Sequence, residues 1–220
     1  SLKNMNNKDK IHHKIINSGK SVLDLEAKSL KNFSDELDEN FSNAILTLLK
    51  RKGKIILSGI GKSGHVAKKV TSTLTSTGNF AVFLHPTEAF HGDLGIIKKE
   101  DIIIIFSFSG KTKEMTDFIQ IIKKFKTRII SITQKNKNTI SKYSDISIKL
   151  PAIEEACPNK IAPTTSTTLM LGIGDALAIT LMKEKKFSSE DFYAFHPGGD
   201  LGNKLKKVKS IMHIKSQLPL

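Results

Sequence analysis

The sequence predicts an α/β fold, a three-layer sandwich around a mainly parallel five-stranded sheet. Two observations predict it. From residue 54 onward, short apolar runs alternate with longer segments of helical apolar spacing, the pattern of strands joined by right-handed helical crossovers. The run Ile102-Ile103-Ile104-Ile105-Phe106 is apolar without a break, as in a strand covered on both faces.

The elements follow in chain order. Within residues 1–52, apolar positions recur at helical spacing (Ile11, Ile15, Ile16, then Val22, Leu25, and later Phe41, Ile45, Leu48). They predict two or three helices, broken near Gly19 and around 35–40, that pack on the core and serve assembly. Strands are expected at 54–60, 81–85, 101–107, 128–133 and 145–150. Helices are expected at 63–77, 113–126 and 139–143. Pro163 is expected to open a long helix reaching about Lys186, since proline suits a first turn. A last short helix is expected near 190–195. The main domain spans 41–187, and 188–207 forms a C-terminal segment.

Length and composition limit the function. A chain of 220 residues holds one substantial core, and 39% hydrophobic with 25% charged residues fits a globular protein. The unbroken apolar runs are far shorter than a membrane span, and no basic-plus-apolar leader opens the chain; both features point to a cytoplasmic protein. A single cysteine, Cys157, excludes an internal disulfide and a multi-cysteine zinc site, and reads as a small half-buried side chain. Net charge +14 raises the question of nucleic acid, yet of 35 basic residues only Arg51 and Arg128 are arginine, and no basic stretch is interleaved with aromatics. A solvated lysine surface is the better reading. The same field attracts an anionic substrate.

In an open parallel sheet ligands sit beyond the carboxyl ends of the strands. The loops there are 58–63, 85–88, 107–112 and 151–158. Ser107, Ser109 and Thr112 surround Gly110 just before a helix, where hydroxyls and free N–H groups can hold a phosphate. The first loop contains G-x-G-x-x-G at Gly59, Gly61 and Gly64, but the second strand ends in His85 rather than the acid a dinucleotide ribose wants. A P-loop fails at Ile56, where it needs glycine. The remaining candidates suit proton transfer on a phosphorylated sugar: Lys62, His85, Glu88, His91, Asp93, Glu114, Glu154, Glu155 and His196.

These residues sit in blocks that resemble a known family. The blocks Gly61-Lys62-Ser63-Gly64-His65, His85-Pro86-x-Glu88-Ala89-x-His91-Gly92-Asp93-Leu94-Gly95 and Ser107-x-Ser109-Gly110 are similar to the arabinose 5-phosphate isomerases. So are Glu155-Ala156-Cys157-Pro158, Ala162-Pro163-Thr164-x-Ser166-Thr167-Thr168, Gly174-Asp175-Ala176-Leu177-Ala178 and His196-Pro197-Gly198-Gly199. The resemblance implies an SIS fold, a flavodoxin-like sandwich. It implies an aldose–ketose isomerase interconverting D-ribulose 5-phosphate and D-arabinose 5-phosphate, for Kdo in lipopolysaccharide or capsule. It assigns catalysis to Lys62, Glu114, Glu155 and His196. It assigns substrate binding to Ser58, Ser63, Gly78, Asn79, His85, His91, Ser107, Ser109 and Thr112. His85 also matches a metal-binding histidine, where zinc would inhibit or regulate; no cofactor is required. The resemblance implies a homo-oligomer, with a tetramer favoured, whose active sites mix subunits, and no nucleic-acid or membrane partner. Residues 208–220 resemble the truncated start of a CBS module. Two departures are Lys111, often Glu in the family, and Phe90, often a small residue. The division of roles among Glu114, Glu155 and His196 stays open. Another SIS isomerase, for a hexulose or sedoheptulose phosphate, and a non-catalytic sugar-phosphate sensor are the alternatives.

Overall fold

The computed structural model describes residues 7–134, 137–188, 191 and 192. Helix α1 (Asn7–Asp35) and α2 (Glu39–Leu49) precede β1 (Ile55–Gly59), α3 (Gly61–Ser76), β2 (Ala81–Phe83) and α4 (Pro86–Ala89). Strand β3 (Ile102–Phe106), α5 (Lys113–Ile122), β4 (Arg128–Gln134), α6 (Thr139–Tyr143), β5 (Ile146–Leu150) and α7 (Thr165–Glu184) complete the order.

All five strands are parallel, in the order β2-β1-β3-β4-β5. The order reverses between β1 and β3, and a ligand crevice opens at such a point. The pleat divides each strand between two cores. Ile102, Ile104 and Phe106 face α2, α3 and α7, where Leu48, Val70 and Leu177 are buried. Ile103 and Ile105 face the other layer, with Phe118 and Ile122 of α5 and Ile140 of α6. Helix α2 begins at Asp38, whose carboxylate accepts from the Asn40 amide, and packs Ala44, Ile45 and Leu48 inward. The approach to β3 is fixed by Asp101, 2% exposed, which accepts from the Lys54 and Lys98 amides and the Lys54 ammonium.

Several expectations need correcting. Helix α1 runs unbroken through Gly19, because one glycine costs a helix only about 1 kcal/mol. The break at 36–38 is where expected. Strand β2 stops at Phe83, since His85 is already the N-cap of α4 and accepts from the Thr87 amide. Helix α7 starts at Thr165 with Thr164 as N-cap, so Pro163 precedes the helix instead of occupying its first turn. Long and apolar enough to meet the size criterion of a membrane span, α7 instead packs nine buried residues into the core. Of the expected helix at 190–195 only Asp191 and Phe192 are described, both helical, and the segment 193–220 lies outside the described residues.

Candidate active site at the carboxyl ends of the strands

Loop 107–112 leaves β3 and enters α5. The Ser107 amide donates to the Ile132 carbonyl at 3.1 Å, and the side chain of Ser107 is 4% exposed. The Ser109 hydroxyl oxygen accepts from the Lys111 amide at 3.3 Å. Thr112 is the N-cap of α5, yet its hydroxyl makes no capping bond, which leaves it beside the helix's free amides. Gly110 has φ +63°, and a Cβ there would lie 2.2 Å from the Asn138 side chain. Only glycine fits.

Across the crevice, the segment after β5 brings Glu155 to the start of α7. Its Oε2 accepts from the Thr164 amide at 2.7 Å, the Thr164 hydroxyl at 3.0 Å and the Ser166 amide at 3.3 Å. The Thr164 hydroxyl oxygen in turn accepts from the Ala156 amide at 2.9 Å. Partial burial pushes the Glu155 carboxyl up, but hydrogen bonds from Ser166 and Thr164 outweigh it and hold the group below the usual glutamate value. Glu155 is therefore a carboxylate at neutral pH, with Oε2 occupied. Its other oxygen, Oε1, receives none of these three bonds.

The two halves meet. A cavity of about 230 Å³ is lined by Ser63, Ser107, Ser109, Thr112, Glu155 and Ser166, with Ile60, Phe106, Met115 and Met170 as apolar wall. A hydroxyl-rich loop and a carboxylate thus share one small space, at the switch point of the sheet. Ser166 and Thr164 are the functional residues that sequence reasoning left without a role. Their signal was the run of hydroxyl residues at the start of a helix that follows an acid.

Other expected residues lie elsewhere. Ser58 is fully buried and donates to the Leu84 carbonyl at 2.8 Å, a bond that ties β1 to the end of β2. Gly78 and Asn79 precede β2, at the amino end of the sheet and opposite the cavity; Asn79, 2% exposed, accepts from Arg51 at 2.8 Å and Lys185 at 3.3 Å. Within this chain they do not reach the cavity. Lys62 lies exposed in the first turn of α3, next to Ser63. Glu114 lines a different groove, with Thr87, Phe90, Asp117 and Lys124. His91 is exposed on the loop after α4, and His196 lies outside the described residues. His85 Nδ1 accepts from the Thr87 amide, and its ring packs edge-on to Phe83 with centroids 6.3 Å apart. Only Nε2 is left to bind a metal. Among the described residues no three His, Cys, Asp or Glu side chains converge, so this set does not fit a catalytic zinc.

Comparison with known proteins places this arrangement. The SIS domain family model matches residues 48–180. The chain belongs to the SIS domain family. The SIS domain here is 46% identical over 200 residues to the arabinose 5-phosphate isomerase KpsF of Escherichia coli, covering 90% of this chain and 63% of that protein. Against the arabinose 5-phosphate isomerase KdsD of Yersinia pestis the identity is 41% over 203 residues, 92% of this chain and 62% of the relative. The chain thus spans less than two thirds of the length of these relatives. Among solved structures, an Escherichia coli CFT073 protein in complex with arabinose 5-phosphate superposes with TM-score 0.80 at 37% identity, covering 88% of this chain and all of that one.

Proposed function

We propose that this SIS domain is an aldose–ketose isomerase that interconverts D-ribulose 5-phosphate and D-arabinose 5-phosphate through an enediolate. The observation that carries the proposal is the shared cavity, which joins the hydroxyl loop Ser107–Thr112 to the Glu155 carboxylate. The relatives KpsF and KdsD, and the similar structure holding arabinose 5-phosphate, support the choice of sugar.

The chemistry follows from the geometry. Loop 107–112 and the amides at the start of α5 hold the phosphate, and this remote binding orients the reacting carbons. Oε1 of Glu155 takes the proton from carbon 2 of the open-chain aldose and returns it to carbon 1, giving the ketose; the hydroxyl proton moves from oxygen 2 to oxygen 1 in the same interconversion. A carboxylate held below its usual pKa is a weak base, so the enediolate oxygen needs a cation; Lys62, exposed beside Ser63, takes that role. Glu114 orients a neighbouring group, and His196 opens the sugar ring. No metal is required on this reading, and zinc at His85 inhibits or regulates.

A homo-oligomer completes the site. Glu114 faces its own groove, which is consistent with a second copy's loops closing over it. Helix α1 exposes Ile11, Ile15, Ile16 and Leu23, apolar surface suited to a tetramer interface. The product would serve Kdo synthesis in the cytoplasm.

The test is direct. Purified protein given ribulose 5-phosphate should release arabinose 5-phosphate, and formation of a hexose or heptose phosphate from the matching ketose instead would assign another SIS isomerase. In Glu155→Gln, exchange of the substrate proton with solvent should be lost. Exchange at the wild-type rate would remove Glu155 from the base role. Sugar-phosphate binding without turnover would favour a sensor.

A further inference from the structure

A second cavity lies apart from the one that holds Glu155. A groove of about 740 Å³ runs along β5, the last strand of the sheet, between α6 and the first turn of α2. Four lysines line it, Lys111, Lys137, Lys142 and Lys149, together with the hydroxyls of Ser141 and Ser147. The acid on its wall, Asp145, is already paired with Lys123 at 3.0 Å and also accepts from the Ile129 amide. Among the described residues none of the four lysines takes part in an ion pair.

The groove shares a wall with loop 107–112. Asn138 lines the groove, and its side chain fills the space left by the missing Cβ of Gly110. Its Nδ2 donates to the Thr133 hydroxyl at 3.2 Å and the Gln134 carbonyl at 3.3 Å. The Thr133 hydroxyl and the Gln134 amide both donate to the Phe108 carbonyl, at 3.3 and 2.8 Å. An occupant of the groove that moves Asn138 therefore moves the backbone of the phosphate-binding loop.

We infer that this groove is a second anion site, for a small ligand carrying several phosphate charges, and that it is coupled through Asn138 to loop 107–112. The ligand class follows from the lining: four cations without ion-pair partners, the Ser147 hydroxyl beside them, and a volume in the range of small-molecule sites. The coupling, though not the binding, rests on the reading that loop 107–112 holds the substrate phosphate. Lysines on an edge strand also discourage strand pairing, and a net charge of +14 attracts anions everywhere; the experiment has to separate these effects.

The probe is inorganic tripolyphosphate, titrated calorimetrically into the whole chain at constant ionic strength. Wild type should show two binding events. Lys142→Gln/Lys149→Gln should weaken one of them by about tenfold or more, the loss of two charge-assisted contacts. Ser109→Ala should weaken the other. The control Lys183→Gln/Lys186→Gln, of equal charge change at the far end of α7, should leave both within about twofold. The four substituted lysines are exposed, and thermal unfolding checks that the variants stay folded. A single event abolished by Ser109→Ala and indifferent to Lys142 and Lys149 would overturn the inference and leave the substrate loop intact. Equal weakening in the control would overturn it in favour of general charge, and so would no binding at all. For the coupling, the affinity of arabinose 5-phosphate for Ser109→Ala should change severalfold when tripolyphosphate fills the groove, and stay constant once Lys142→Gln/Lys149→Gln is added. An unchanged affinity would refute the link through Asn138.

Discussion

Thr164→Val tests how the Glu155 carboxylate is held. Valine keeps the shape and the backbone amide of residue 164 but removes the hydroxyl that donates to Oε2 at 3.0 Å and accepts from the Ala156 amide at 2.9 Å. A hydrogen bond to a charged group contributes about 1.5–3 kcal/mol when buried. Glu155 is only partly buried, so water replaces part of the bond and about 1 kcal/mol is lost. That loss raises the folded-state pKa of Glu155 back toward its unfolded value. The sign follows from the depressed value. A carboxyl held below its unfolded pKa stabilises the fold above that unfolded value, and the contribution disappears as pH falls through the folded value. The orphaned Ala156 amide adds a pH-independent loss of about 1 kcal/mol. Urea unfolding should therefore show Thr164→Val less stable by about 2 kcal/mol at pH 7, narrowing to about 1 kcal/mol near pH 3. The acid limb of kcat/KM should move to higher pH, and Thr164→Ser should restore both. A stability gap identical at the two pH values, with an unmoved acid limb, would refute the reasoning.

Three further outcomes follow from the structure. Gly110→Ala places a Cβ 2.2 Å from the Asn138 side chain at φ +63°; it should cost about 2 kcal/mol, seen as a Tm lower by about 5 °C, and raise KM for the sugar phosphate. Asp101→Ala removes the carboxylate partner of the partly buried Lys54 ammonium, which keeps only the Ile96 carbonyl, and of two amides; urea unfolding should register a loss of about 3 kcal/mol, with little change in KM of the folded fraction. The amides of Ala162, Ile161 and Asn159 hold the Cys157 thiol below the usual thiol range; iodoacetamide should therefore alkylate it at lower pH than it alkylates free cysteine, and a midpoint at the free-cysteine value would contradict those contacts.

The legible parts of the chain were those where one local rule acts alone. The isoleucine run at 102–106 could only be a doubly covered strand, and it is the central partner of β1 and β4. Loop 107–112 announced itself by hydroxyls around a glycine before a helix, and its three hydroxyl residues do line the cavity. Ser58 was misleading, because a serine at a strand end reads the same whether it faces a ligand or bonds the next strand, as it does to Leu84. Asn79 was assigned to substrate by the resemblance alone, and in this chain its side-chain oxygen is engaged by Arg51 and Lys185, 28 and 106 residues away.

Local chemistry in the sequence determined the strands, the helices, the hydroxyl-rich loop after β3 and the presence of an acid after β5. Tertiary structure decided which of those groups share a cavity. Glu155 reaches the loop of β3 because the parallel order β2-β1-β3-β4-β5 puts every strand's carboxyl end on one side, while the α7 cap turns its carboxylate inward through Thr164 and Ser166. Glu114, two residues beyond Thr112 in sequence, faces another groove because a helix turns successive side chains by about 100°. Residues adjacent in the chain were separated and residues 46 positions apart (Ser109 and Glu155) were joined, because packing two cores against one sheet fixes direction as well as distance.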